Sequence, residues 1–214
     1  MVQQQPAPKE TYDRFMKRCE TFFPHAVCVQ LSIVYALAKH HHRHDVRKDE
    51  RDEKGNPLRY FEHVRRVALL FFDEVHFPDL DIIMVALLHD AVEDTKLLPE
   101  AITLVCGAEN SKRVMLMSKL VKDGFVDRLH EHADYKTLMV KVADRIDNLR
   151  SIKGSSATFI EKQVKETRAE YFDLAAAMVE RTPEAYRDRA QRIERLLFAA
   201  TIEAAGVAAA MVSR

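Results

Sequence analysis

Apolar side chains return every three or four residues along nearly the whole of this chain and nowhere alternate for the length of a convincing strand. That regularity confines it to an all-α fold. From Glu10 to Phe23 the repeat runs through Tyr12, Phe15, Met16, Cys19 and Phe22, and Pro24 ends it. A second helix is expected from about Ala26 to His42, with Val29, Leu31, Ile33, Val34, Leu37 and Ala38 buried over much of its circumference. A third spans roughly Arg59 to Phe72, with Val64, Val67, Ala68, Leu70 and Phe71 inward. Further helices are expected from Asp79 to Leu88, from Leu98 to Cys106, through Val114, Met115, Met117, Leu120 and Val121, and from His130 to about Ser151. Two more follow, about Ala157 to Arg181 and Pro183 to Ala205, and the alanine-rich tail Ala204 to Val212 suits close helix packing or a homodimer contact. The sum is one bundle of about eight to ten helices over residues 10–214, after a disordered lead-in over residues 1–9.

Composition excludes several classes of function. Only five glycines occur in 214 residues, and neither GxGxxG nor GxxxxGK[ST] is present, which removes the Rossmann, P-loop and kinase readings. With 33 basic and 33 acidic side chains there is no whole-molecule attraction for nucleic acid or an anionic membrane. No unbroken apolar run reaches the roughly 18 residues of a membrane span, and the polar start is no signal peptide. The three widely spaced cysteines form neither a disulfide framework nor a structural zinc site, and a reducing cytoplasm fits them.

The chemistry gathers at Leu87-Leu88-His89-Asp90-Ala91-Val92-Glu93-Asp94-Thr95. His89 and Asp90 are adjacent, so they share a ligand only where a helix ends or loosens, and the apolar run before them puts that point at a buried helix end. Two such groups need partners there, either hydrogen bonds or a metal ion. His63 lies beside the apolar stripe of the third helix, where a histidine alone reads equally as a satisfied core residue. On the helix ending near Ser151, Lys141, Asp144, Arg145 and Asn148 form a polar stripe that also reads as a solvent face. The segment 45–57, DVRKDERDEKGNP, is an exposed loop of the kind that carries binding groups. Four histidines among residues 40–44 fit a cationic helix C-terminus, structural or solvated, before they fit a metal. Taken together, His63, His89, Asp90 and Asp144 place two imidazoles and two carboxylates on three helices, a mixed donor set suited to a hydrolytic divalent ion.

These residues carry a resemblance to the HD-domain hydrolases, in the (p)ppGpp hydrolase branch of the RelA/SpoT family. The matching motifs are His63 in RYFEHVRRVA, LLHDAVEDT at 87–95, SKL at 118–120, KVADRIDNLRS at 141–151 and ETRAEYFDLA at 166–175, in the family's order, and the likeness covers roughly residues 28–178. It implies that His63, His89, Asp90 and Asp144 bind one Mn2+, and that Glu93 and Asp94 are the family's catalytic acidic pair, residues that otherwise read as a helix cap or a surface pair. His42, Arg47 and Lys48 match the spacing of the family's HxxxxRK, so Arg47 and Lys48 would frame the purine base; without the resemblance they are a solvated charge run. Lys141, Arg145 and Asn148 would lie near the ribose and phosphates, although Arg145 can instead support a ligand carboxylate. Ser118 and Lys119 are weaker candidates. Two departures stand out: Val64 follows His63 where the family usually has proline, and the loop before it is longer than the common form.

The implied function is Mn2+-dependent hydrolysis of the 3′-pyrophosphate of (p)ppGpp, a small-molecule nucleotide. The same site acting on (p)ppApp or NADPH, and a non-catalytic nucleotide-binding regulator, are the alternatives. A toxic synthetase would be a counterpart if the chain serves as an antitoxin, and the region that performs synthesis in larger relatives is not expected here.

Overall fold

The structure, a computed structural model, describes residues 10–120 and 123–212. The lead-in expected over residues 1–9, and Val121, lie outside them. Helix α1 (Tyr12–Phe22) begins where the Thr11 hydroxyl accepts the Arg14 amide, and Pro24 separates it from α2 (His25–His41). One face of α2 is buried, through Cys28, Leu31, Val34, Tyr35 and Ala38. Val29 and Ile33 are 46% and 51% exposed, so the buried arc is narrower than its composition suggests. Composition counts apolar residues; the geometry of the neighbours decides which of them face the core.

The segment expected as a loop forms a hairpin, β1 (Val46–Arg51) antiparallel to β2 (Pro57–Arg59), with Val46 opposite Arg59. Asp52 builds its turn by accepting the amides of Lys54 and Asn56, and Gly55 supplies a φ of +83° that a side chain would strain. The strands are largely exposed or only half-buried, so they lack the apolar alternation by which a strand is read.

Helices α3 (Phe61–Asp73), α4 (Leu80–Leu88), α5 (Ala91–Asp94), α6 (Pro99–Cys106), α7 (Ala108–Met117) and α8 (Phe125–His132) follow. Every residue of α4 from Ile82 to Leu88 is buried, so it is a core helix rather than an amphipathic one. Full burial of Ile82, Ile83, Leu87 and Leu88 contributes about 1.5–3 kcal/mol each. Asp79 fixes its start by accepting the Ile82 amide and, with Asp81, the Lys136 ammonium.

The helix expected from His130 breaks at Ala133, because Asp134 caps a new helix, α9 (Tyr135–Ser151), on the Thr137 amide at 2.8 Å. Helix α9 packs against α3, α4, α7 and two later helices, α11 (Phe172–Arg181) and α12 (Arg187–Val212). Twelve of its 17 residues are buried, Lys141, Asp144, Arg145 and Asp147 among them, so its polar stripe is not a solvent face. Helix α10 (Ala157–Glu166) passes through a π turn at Thr167–Tyr171 into α11, which makes the single rod expected over 157–181. With α5 a single turn and α10–α11 one rod, ten substantial helices stand among the described residues, as expected for an all-α bundle, beside the small hairpin.

The segment Glu184–Val212 is long and apolar enough to cross a bilayer by length and composition. Its buried positions Ala190, Ile193, Leu197, Ala200, Ala204 and Ala208 nevertheless recur at helical spacing and pack on α9, α10 and α11. The three cysteines are free and buried.

Candidate metal centre

His63 stands on α3, Asp144 on α9, and His89 with Asp90 at the break between α4 and α5. His89 keeps helical backbone, and Asp90, at φ −101° and ψ −3°, leaves it and opens α5. That step turns onto one point two neighbours that a continuous helix would splay. Each of the four residues offers a donor atom within 4.8 Å of the others. Asp90 Oδ2 is 3.0 Å from His89 Nε2 and 3.5 Å from His63 Nε2; Asp144 Oδ1 is 3.2 Å from His63 Nε2 and 3.7 Å from His89 Nε2.

The residues around this set aim it. His63 Nδ1 donates to Asp147 Oδ2 at 2.7 Å, and His89 Nδ1 donates to the Ala86 carbonyl at 2.8 Å. Each ring therefore turns its Nε2 lone pair inward, and both Nε2 atoms are buried without a hydrogen-bond partner. Tyr60 donates its hydroxyl to Asp90 Oδ2 at 2.6 Å; Asn148 and Lys141 donate to the two oxygens of Asp144 at 2.6 and 3.0 Å. Two bare imidazole nitrogens and two oriented carboxylates fit a divalent transition ion with positions left for water. The carboxylates Asp90, Asp144 and Asp147 concentrate negative potential at the same point, which favours a cation there: a proton on the rings in the metal-free protein, or a metal ion in its place. Burial pulls His89 down, but Asp90 and Asp144 outweigh it and hold the ring at about 9. His63 is raised well above its ordinary value, because its three carboxylate neighbours overcome burial. Burial opposes ionisation of Asp90 and Asp144, yet the histidines, and Lys141 beside Asp144, hold both well below the usual carboxylate range.

One turn beyond the ligands, α5 carries the acidic pair. Glu93 is half-buried, with Oε2 accepting the Lys119 amide at 2.6 Å. Asp94 is exposed, but partial desolvation and the nearby Asp90 push its carboxyl up to about 6. The Lys119 and Lys141 ammonium groups sit 5.2 and 5.3 Å from the Phe125 ring.

A cavity of ≈ 240 Å³ is lined by Arg47, Lys48, Tyr60, Asn148, Phe159 and Gln163 among others, and by none of the four candidate ligands. It touches the metal set through Tyr60 and Asn148, which hold Asp90 and Asp144. A cavity of ≈ 440 Å³ behind Arg66 is likewise lined by none of the four, and meets the metal set through Asp147, which holds His63. Arg47 donates to Glu50 (2.7 Å), Asn148 (2.9 Å) and Ser151 (3.1 Å) and lies 5.5 Å from the Tyr60 ring. Lys48 is exposed at the rim. Arg145 is buried, its fork bonded to Thr167 and Gln163 and set 4.5 Å from the Tyr171 ring, so it braces α9 against the π turn.

Sequence reasoning passed over Tyr60, Arg66, Asp147 and Phe159. Spacing held a signal for two of them: Tyr60 lies one turn before His63, and Asp147 one turn after Asp144. Within the histidine cluster, His42 is fully buried, bonded to Asp45 at 3.1 Å and stacked on Tyr60 at 5.0 Å, whereas His40 and His44 are exposed.

No family model matches the chain. Curated relatives do. The GTP pyrophosphokinase rsh of Brucella melitensis is 30% identical over 177 residues, 77% of this chain but 21% of that protein, so this chain spans about a fifth of its length. The mouse guanosine-3′,5′-bis(diphosphate) 3′-pyrophosphohydrolase MESH1 is 31% identical over 153 residues, 67% of this chain and 79% of the relative. A solved structure, described as a metazoan ortholog of SpoT that hydrolyzes ppGpp, superposes with a TM-score of 0.55 at 23% identity, covering 83% of this chain and 97% of the other. At that identity the likeness is one of fold.

Proposed function

The chain belongs to the HD-domain metal-dependent phosphohydrolases of the RelA/SpoT family, in the branch of its (p)ppGpp hydrolases, and from that premise we propose that it removes the 3′-pyrophosphate of (p)ppGpp with Mn2+ as cofactor. Water is consumed, and the products are pyrophosphate and GDP or GTP. The observation that carries the reading is the pair of buried, unpartnered Nε2 atoms of His63 and His89 facing Asp90 and Asp144.

Held by those four residues, a divalent ion supplies Lewis acidity and lowers the pKa of bound water. The chain's own groups do the rest. Glu93, anchored at Oε2 by the Lys119 amide, keeps its second oxygen to orient the attacking water. Asp94, on the same turn as Glu93, is placed to take a proton from the reacting water and return it. Lys141, beside Asp144, offers an ammonium to the substrate's phosphates. In the cavity Arg47 and Phe159 give the base flat surfaces, Lys48 and Asn148 give polar contacts, and Arg145 acts by fixing Gln163 in the lining. Stacking on Phe159 accepts any base, which makes (p)ppApp and NADPH the second reading for this site. A reducing cytoplasm, a homodimer contact through the alanine-rich end of α12 over Ala204 to Val212, and a synthetase counterpart belong to the same proposal.

The test is a product assay on ppGpp, ppApp and NADPH with Mn2+, Mg2+, Zn2+ or chelator. Pyrophosphate release from ppGpp that needs Mn2+ supports the reading. Phosphate release from NADPH alone replaces the substrate, and binding without turnover makes the chain a regulator. Asp144→Ala should take up far less Mn2+ than wild type; equal uptake removes Asp144 from the ligand set.

A further inference from the structure

Two of the proposed ligands, His63 and Asp144, stand at the ends of one unbroken series of hydrogen bonds. From His63 Nδ1 the series passes to Asp147 Oδ2 (2.7 Å), whose two oxygens receive Arg66 at 2.7 and 2.9 Å. Arg66 also donates to Glu50 (3.0 Å), which receives Arg47 Nε (2.7 Å). The far amino group of Arg47 donates to Asn148 Oδ1 (2.9 Å), and the Asn148 amide donates to Asp144 Oδ1 (2.6 Å). Five of these seven residues lie on the metal helices, His63 and Arg66 on α3 and Asp144, Asp147 and Asn148 on α9; Glu50 and Arg47 lie on β1 of the hairpin. Asp147 is 7% exposed and the Glu50 side chain 12%, so the carboxylates of the series are largely withdrawn from water, while the Arg66 side chain between them, 33% exposed, faces the larger cavity.

We infer that Asp147, Arg66 and Glu50 are positioning residues that join the metal site to the hairpin, so that filling the site and fixing the hairpin favour each other. The inference rests on the metal reading proposed above. A cation fixes the rotamers of His63 and Asp144, and each passes that restriction to its neighbour. The two arms meet at Arg47, where a planar fork satisfies Glu50 and Asn148 together in one orientation only. The hairpin supplies Arg47 and Lys48 to the nucleotide cavity. By linkage the effect is reciprocal: whatever orders the hairpin tightens the metal.

The experiment measures Mn2+ uptake from the electron paramagnetic resonance of the free ion, and amide hydrogen exchange across residues 46–59, on the full chain with Mn2+ or chelator. In wild type, Mn2+ should slow exchange in the hairpin by about fivefold or more, the lower end of ordinary coupling. Arg47→Lys opens both arms and should still take up Mn2+ while its hairpin exchange no longer responds. Asp147→Asn leaves the hairpin's own residues intact and opens one arm; its Mn2+ dissociation constant should rise about 10–100-fold, as for other outer-sphere partners of metal-bound histidines, with weaker hairpin protection. If Asp147 were only structural, Asp147→Asn would lower the Tm in chelator and leave both Mn2+ readouts as in wild type, overturning the inference. Mn2+ uptake by wild type without slower exchange, or full protection in Arg47→Lys, overturns it as well. Absence of Mn2+ uptake by wild type overturns the metal reading itself, a different result from either.

Discussion

Tyr60 donates its hydroxyl to Asp90 Oδ2 at 2.6 Å, from a ring stacked on the buried His42. A carboxylate oxygen that faces two histidines has several rotamers open to it, and this bond selects the one that points into the site. The phenol stays protonated, because burial and the nearby Asp90 raise its pKa. Tyr60→Phe keeps the stacking and removes the donor. We expect Mn2+ affinity to fall about tenfold and activity at limiting Mn2+ to fall with it, recovering at saturating metal. Metal titrations of the two proteins check this; superimposable curves would place Tyr60 among packing residues only.

Glu93 accepts the Lys119 amide and makes no contact with the four ligands among its hydrogen bonds. Glu93→Gln preserves the acceptor oxygen and removes the charge. Turnover should drop by about 10²–10⁴-fold, the range of a general base, with metal content near wild type. Metal analysis of the purified variant decides the role, since a joint loss of metal and activity would make Glu93 a ligand.

Asp94 gives a pH signature in the metal-free protein. Its carboxyl is raised by partial desolvation and by Asp90 to about 6, above the ordinary 3.8. The folded chain therefore holds that proton more tightly than the unfolded chain, and this group's contribution to stability improves as pH falls from above 6 towards 4. Above pH 6 the ionised carboxylate is a net cost. Asp94→Asn should raise the Tm in chelator at pH 7.5, with the gain shrinking through pH 6 and gone by pH 4. A gain independent of pH would mean that charge at Asp94 is not its cause.

Much of the candidate site was legible in the sequence because its helices announce themselves by period and its candidate ligands, which the structure brings together, by company. His89 and Asp90 follow a helix apolar enough to be buried on all sides, which already says that they need partners. Asp144 was legible in KVADRIDNLRS, but burial of its whole stripe was not, since a polar stripe on α9 looks the same facing water or facing a metal. The hairpin escaped because its pairing depends on backbone bonds and on Asp52, neither of which leaves a side-chain period. Asp147 escaped for the opposite reason: in sequence it shares a face with Val140 and Ala143, and only the approach of α3 across 84 residues supplies His63 and makes it an aiming group.

Phe159 tests where the nucleotide is read. The sequence placed it within an amphipathic helix and gave it no role, yet the structure leaves its ring 39% exposed in the cavity shared by Arg47, Lys48 and Asn148. Arg47 is already committed to Glu50, Asn148 and Ser151, so its donors hold the hairpin to α9 and leave mainly its face for a base. An aromatic ring free of other duties is the better stacking partner, and loss of such stacking costs about 1–3 kcal/mol per base. Phe159→Ala should therefore raise KM for the nucleotide roughly tenfold and change kcat little, the pattern of lost uniform binding. The folded protein should tolerate the change, because a half-exposed ring at the start of α10 contributes little to the core. The decisive comparison is ppGpp against inorganic pyrophosphate as competing ligand. Phe159→Ala should weaken binding of the nucleotide and leave that of pyrophosphate unchanged, whereas equal weakening of both would move the base out of this cavity.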